Sequence, residues 1–299
     1  MMAIAVTHDG NNHPAASSGM KLDVTHRTTF HYSGQVRDSE NTLHLEPRDF
    51  RTQRTLRSLI RVLPATRLHR FTDLFQNITH QFELPQPHNR LVIESRVRVE
   101  NFHYDIPPEA LNVKYPEAFR HWASEESWQY LQESRHVSKH PDIWRAAIER
   151  IEDHPRIHDQ AIAIMGWIHH EFTYAPGATN VDTHLEEAFA QRRGVCQDYA
   201  HVMIGMCRSI GIPTRYVSGY LYNGPQDNLI GDQASHAWVE VHLPHAGWVG
   251  YDPTNNTVAD ERYVKIAVGR DYQDVSPIQG GYTGSAHCRL EVIVRVERV

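Results

Sequence analysis

The hydrophobic period of this chain changes at Pro107-Pro108, and that change constrains the fold more than any other feature of the sequence. Before it, from Lys21 to about Tyr104, apolar residues recur at every second position. Leu22, Val24, Thr28, Phe30 and Tyr32 share one parity before Ser33-Gly34, Leu43 and Leu45 follow, and Ile60 and Val62 precede Pro64. Ile78 and Phe82 precede Pro85, and Leu91, Ile93, Val97 and Val99 close the set. Period two interrupted by turn residues predicts half-buried antiparallel strands, here a β-rich, sandwich-like domain.

After the prolines the spacing becomes helical. Phe119, Trp122, Trp128 and Leu131 lead, Ile143, Trp144, Ala147 and Ile151 follow Pro141, and Ile157, Ala161, Ile164, Ile168 and Phe172 form one stripe. Thr183-His-Leu-Glu186 reads as a capping box, and Ala200, Met203, Cys207 and Ile210 define a helix that starts at Cys196 and ends at Gly211. Strands are expected beyond it, at Arg215 to Tyr222, Ser235 to Leu243, Trp248 to Asp252 and Arg262 to Val268. A last one alternates through Cys288, Leu290, Val292, Val294 and Val296. Helices first and strands afterwards give an α+β class with an antiparallel sheet. The expected organisation is a disordered leader over 1–19, the β-rich domain over 20–105 and the α+β domain over 106–299.

Charge and composition narrow the function classes. Thirty Lys and Arg against 36 Asp and Glu leave a formal charge of −6 without a basic stripe, which argues against a nucleic-acid partner. No window approaches the ~18 apolar residues of a membrane span, so the expectation is a cytoplasmic protein without a membrane partner. Three cysteines, an odd and sparse set, read as thiols rather than a disulfide framework.

Of those thiols, Cys196 stands where a glycine turn enters a helix, a position whose unpaired N–H groups favour thiolate. Asp198 in the first turn reads as a helix-stabilising carboxylate. Cys207 lies three turns on, in an apolar stripe, and Cys288 alternates with the apolar face of the last strand, so both are expected to pack. A nucleophilic thiolate needs a base and a group to orient it. His236 shares a strand face with Trp238 and Glu240, while Ala237, Val239, Val241 and Leu243 form the other face; the first is expected to look toward a different surface or cleft. Asp252 ends the next strand of a hairpin turning at Pro244-His-Ala-Gly247. A register centred on residue 244 would put Asp252 opposite His236, and a four-residue loop would offset the two by three positions. Thiol, imidazole and carboxylate together meet the requirements of triad chemistry. Ligand pairs at C-x2-C or H-x3-H spacing are absent near Cys196, and adjacent His169 and His170 diverge on a helix, so neither metal nor cofactor is expected.

Three blocks, Gly194-Val-Cys196-Gln-Asp-Tyr-Ala-His201, Ser235-His236-Ala-Trp238 and Asp252-Pro-Thr-Asn255, resemble in this order those of the transglutaminase-like superfamily, the papain-like thiol enzymes. The strands near Thr25 to Tyr32 and Leu43 to Arg48 resemble the N-terminal region of bacterial members, as does Gly269-Arg-Asp-Tyr-Gln-Asp274 further on. The resemblance implies a papain-like core with Cys196 as nucleophile, His236 as general base and acid, and Asp252 holding the imidazole. It also implies a peptide or protein substrate and a thioester taken either by water, as in a cysteine peptidase or amidase, or by an amine, as in a crosslinking transglutaminase. Tyr174, Gln197 and Trp238 are the oxyanion or substrate-wall candidates, Trp238 being expected to shield the His–Asp contact from water. A non-catalytic binding module on the same fold is the alternative of another class.

Overall fold

A computed structural model describes residues 19–122, 125–224, 230 and 235–299; most of the expected leader lies outside the described residues. Five strands open the chain: β1 (Met20–Glu46), β2 (Gln53–Leu63), β3 (His69–Thr72), β4 (Ile78–Leu84) and β5 (His88–Asn101). Helices α1 (Pro108–Leu111), α2 (Tyr115–His121), α3 (Glu125–Trp128), α4 (Pro141–Ile151) and α5 (Ile157–Glu171) follow. Then come β6 (Thr173–Tyr174), α6 (Leu185–Gln191), β7 (Arg193–Gly194) and α7 (Cys196–Ser209). The remainder is β8 (Thr214–Leu221), β9 (His236–Leu243), β10 (Gly247–Asp252), β11 (Thr257–Val258), β12 (Tyr263–Gly269), α8 (Tyr272–Val275), β13 (Ile278–Thr283) and β14 (Cys288–Arg298). Among the described residues no helix is long and apolar enough to cross a membrane.

The class is α+β, with a strand-rich N-terminal region. The long β1 belongs to two layers. Its first half pairs with β14 on one side and β5 on the other, its second half with β13 and β4, and the register breaks between His31 and Val36. Residues of both layers, among them Val36, Leu43, Phe82, Leu91 and Ile93, close on a shared core. The second sheet runs β11-β10-β9-β8-β12, all antiparallel, and buries Ala237, Val239, Val241 and Leu243 against α7 and α5.

Four expectations differ from the structure. The last strand returns to the N-terminal sheet, so residues 278–298 pair with β1 rather than extending the second sheet, and the sheets do not follow a division at 105. On this edge strand only Val294 is fully buried, where it meets the helical core, and Cys288 is exposed because its end of β14 runs past that core. Thr183 does not cap α6: its hydroxyl accepts from the Asn180 N–H (3.0 Å) and His184 takes the cap position. In the short helices α2 and α3, Trp122 just past α2 is buried, whereas Phe119 and Trp128 face solvent.

The two regions are fastened along β12, the edge of the second sheet. Side-chain amides of the N-terminal region bond its free backbone groups. Gln53 pairs with the Lys265 N–H and carbonyl (2.8 Å each), and Asn77 does the same at Val268 (2.8 Å each). Asn101 donates to the carbonyls of Glu261 and Tyr263. Three amides thereby cover an edge that would otherwise recruit another strand.

Candidate active site

The start of α7 is built by a carboxylate folded back over the turn. Asp198 Oδ2 accepts from the Val195 N–H and the Thr179 hydroxyl, both at 2.7 Å. Burial pushes its pKa up against those hydrogen bonds. A Cβ on Gly194 would come within 2.4 Å of the same oxygen, so only glycine lets the chain pass. Cys196 is thereby held in the first turn, half-buried, on the N-terminal side where α7 has unpaired N–H groups. The parallel pairing of β6 with β7 sets Tyr174 opposite Gly194 and beside this turn. Burial, and then the charges of Cys196, Asp198 and Asp252, push the Tyr174 phenol up to about 12.

The β9–β10 hairpin pairs Leu243 with Gly247 and Val239 with Tyr251, which leaves a three-residue turn. Extending that register sets Asp252 across from Trp238, two residues from His236, an offset between the two expected from sequence; a diagonal of this kind is within reach of an imidazole. His236 Nε2 donates to Asp252 Oδ2 at 2.8 Å, with both side chains fully buried. The other ring nitrogen, Nδ1, has no hydrogen-bond partner among the described residues, and the charge of the Cys196 sulfur acts on this ring. Burial alone would depress the His236 pKa; the Asp252 carboxylate and the Cys196 sulfur outweigh it and raise it to about 10. The site therefore favours imidazolium beside the thiol.

Asp252 is held by five donors. Oδ2 accepts from His236, Asn255 Nδ2 (2.7 Å) and the Tyr263 hydroxyl (2.8 Å), and Oδ1 from the N–H groups of Thr254 (2.9 Å) and Asn255 (3.2 Å). Burial raises the carboxyl pKa, but His236 and these donors lower it below the ordinary carboxylate value. Trp238 stacks near His236 (ring centroids 6.1 Å apart, 24° between planes) and meets Tyr263 edge-on, so two aromatic rings wall off the His–Asp contact.

The structure thus brings Cys196, His236, Asp252, Tyr174 and Trp238 together. Gln197 is buried one residue on, but its amide donates to the Val181 carbonyl (3.2 Å), tying down the preceding loop. His201 and His169 turn elsewhere, the first accepting from the Tyr272 N–H and the second bonding to the Thr254 carbonyl. The face of β9 carrying His236, Trp238 and Glu240 is not an open cleft. Trp238 packs with Val217, Leu221, Tyr263 and Phe50, and Glu240 is closed by Arg215 and Lys265. Sequence reasoning missed Tyr263, whose partner lies across two intervening strands. It gave Asn255 no role, although its place three residues after Asp252 was a usable signal.

Residues 145–253 match the model of the transglutaminase-like superfamily, and residues 22–100 that of the bacterial transglutaminase-like N-terminal region. The uncharacterized protein ML0607 of Mycobacterium leprae is 32% identical over 282 residues, spanning 93% of this chain and 99% of that protein. A protein-glutamine gamma-glutamyltransferase of Pseudomonas aeruginosa is 34% identical over 142 residues, 45% of this chain and 21% of the relative. Among solved structures, a candidate cysteine protease from Cytophaga hutchinsonii superposes with a TM-score of 0.78 at 21% identity, covering 95% of this chain and 92% of that one, which supports the fold. The three sequence blocks, the strand-rich region ahead of them and these relatives agree that the chain belongs to the transglutaminase-like superfamily.

Proposed function

We propose that the protein is a thiol-dependent acyl-transfer enzyme that hydrolyses amide bonds of peptides or proteins, with Cys196 as nucleophile, His236 as general base and acid, and Asp252 as the group that orients His236. The observation that carries this reading is the imidazole itself. One nitrogen is locked to a buried carboxylate, and the ring interacts with a half-buried sulfur at a helix start.

In this mechanism the Cys196 thiolate attacks a carboxamide carbonyl and forms a tetrahedral oxyanion. The Cys196 N–H at the start of α7 is one donor to that oxyanion, and the Tyr174 hydroxyl is the candidate for a second. As the C–N bond breaks, protonated His236 passes its proton to the departing amine or ammonia. Neutral His236 then takes a proton from water, whose oxygen attacks the thioester; the C–S bond breaks, releasing a carboxylic acid and restoring the thiolate. Asp252 stays ionised throughout and keeps the ring facing sulfur.

A second reading, transfer of the acyl group to a primary amine, is favoured by the similarity of 142 residues of this chain to the gamma-glutamyltransferase. Incubation with glutamine-containing peptides, with and without a tagged amine, separates the two. Cleaved or deamidated products support hydrolysis and tagged glutamine supports transfer. A third outcome, with neither product and Cys196 alkylated no faster than Cys207, would sink both in favour of a binding module.

A further inference from the structure

At the far end of the β9–β10 hairpin, Glu117 and His121 of α2 converge with His245 of the turn, all three exposed, with one ligand atom from each lying within 4.8 Å of the others. We propose that this trio binds a zinc ion, which fastens α2 to the hairpin carrying His236 and Asp252. Ligand-pair spacing is lacking around Cys196, whereas this trio lies elsewhere in the fold. Leu243 is seven positions along an extended strand from His236, so this site is about 20 Å or more from His236.

Each ligand position has a local cause. Glu117 and His121 are four apart on one helix and project from the same face. His245 sits at φ 69° in the three-residue turn, which aims its ring at α2; the His121 and His245 ring centroids are 4.9 Å apart. The helix is already anchored to the hairpin at the next residue: the buried Trp122 indole donates to His242 Nδ1 and to the His242 carbonyl, both at 3.2 Å. The ligands are therefore preorganised by packing that does not involve them.

The trio differs from the other histidine–carboxylate clusters of the protein. His80 closes on Glu46 at 3.2 Å, and His103 on Asp105 at 3.1 Å and Glu261 at 3.3 Å. Glu117, His121 and His245 form no side-chain hydrogen bond or ion pair among the described residues, although their ligand atoms face one another. Two ligands at ~2.0–2.1 Å from a shared ion lie about 3.4 Å apart, a separation these exposed side chains reach by small rotations. Two imidazoles and one carboxylate are a zinc donor set rather than one for calcium or magnesium, and exposure leaves the fourth position to water.

The test is calorimetric titration of Zn2+ into the full chain carrying Cys196→Ser and Cys288→Ser, so that neither accessible thiol competes. One equivalent is expected to bind and to raise the thermal midpoint. His121→Ala or His245→Gly should weaken that binding by roughly tenfold or more. Glycine accepts the left-handed backbone at 245, so the second variant retains the turn. Co2+ should give tetrahedral visible bands in the parent and not in the variants. No stoichiometric binding by the parent, or binding and bands unchanged in both variants, overturns the proposal.

Discussion

One face of β9 carries two buried titratable groups four residues apart, and their surroundings differ in the way that the proposed reaction needs. Glu240 is saturated: Arg215 contacts it through Nε at 2.7 Å and Nη2 at 2.6 Å, Lys265 bonds its other oxygen, and the Arg215 guanidinium lies over the Trp248 ring at 4.2 Å. Burial would raise the Glu240 pKa, but the two cations lower it. His236 is as deeply buried, yet among the described residues one of its ring nitrogens has no hydrogen bond, on a ring that interacts with a sulfur at the edge of solvent. Burial and charge pairing are common to both. What distinguishes His236 is a ring nitrogen left without a hydrogen bond among the described residues, on the ring beside the sulfur.

Breaking the reactive end should produce the largest effect. Cys196→Ser and His236→Ala are each expected to lower amide hydrolysis or amine transfer by at least about 10⁴-fold, with the far-UV spectrum retained. Appreciable turnover in either variant would remove the distinction drawn above. The closed end should respond in the opposite sense. Glu240→Gln leaves Arg215 and Lys265 buried without their carboxylate, and a loss of about 3–5 kcal/mol of stability is expected from denaturant unfolding. Activity per folded molecule should stay within about twofold. A large fall in kcat with unchanged stability would mean that both ends of β9 serve the reaction.

A pH experiment probes the same contrast at the junction of the two regions. His26 of β1 is buried, with Nδ1 against the Tyr220 hydroxyl of β8 at 2.6 Å and Nε2 against the Thr28 hydroxyl at 2.9 Å. Among the described residues no carboxylate faces it, and burial lowers its pKa to about 4. Between that value and the ordinary ~6.5, the unfolded chain binds the proton and the folded chain does not, so stability falls as pH drops through this window. His26 alone should contribute a loss of about 2 kcal/mol between neutral pH and pH 5. His26→Gln should flatten the acid side of the stability curve by that amount; an unchanged slope would show that the contact opens before it titrates.

The candidate site was legible where chemistry is local in sequence and illegible where it is assembled by sheet order. Cys196 follows from a glycine turn feeding an apolar helical stripe, and His236 and Asp252 from two strands joined by a short turn. Even there, the three-residue turn gave an offset of two, which neither expected register contained. Tyr263 could not be found because β12 reaches the site only by pairing with β8, on the opposite side of β8 from β9. The period-two pattern of β14 announced a strand but not its neighbour, and parity could not reveal that one end outruns the core it packs on, leaving Cys288 exposed. Glu240 looked like part of an open face because alternation reports which residues share a face, not what covers it.

Tyr263 offers the smallest and sharpest test of how the reactive end is held. Its hydroxyl is one of three donors to Asp252 Oδ2, the oxygen that also binds His236. Tyr263→Phe keeps the ring that packs on Trp238 and removes only that donor. The carboxylate loses part of what keeps its pKa low, so protonation should begin at higher pH and the acidic limb of the rate profile should move up. A hydrogen bond to a charged acceptor is worth about 1.5 kcal/mol at the low end of its range, which corresponds to roughly a tenfold fall in kcat if all of it is felt in the orientation of His236. KM should stay unchanged, because the hydroxyl lies behind the imidazole rather than against substrate. A shift in KM with a fixed acidic limb would instead make Tyr263 part of the substrate wall, and the ordered carboxylate would then rest on Asn255 and the backbone alone.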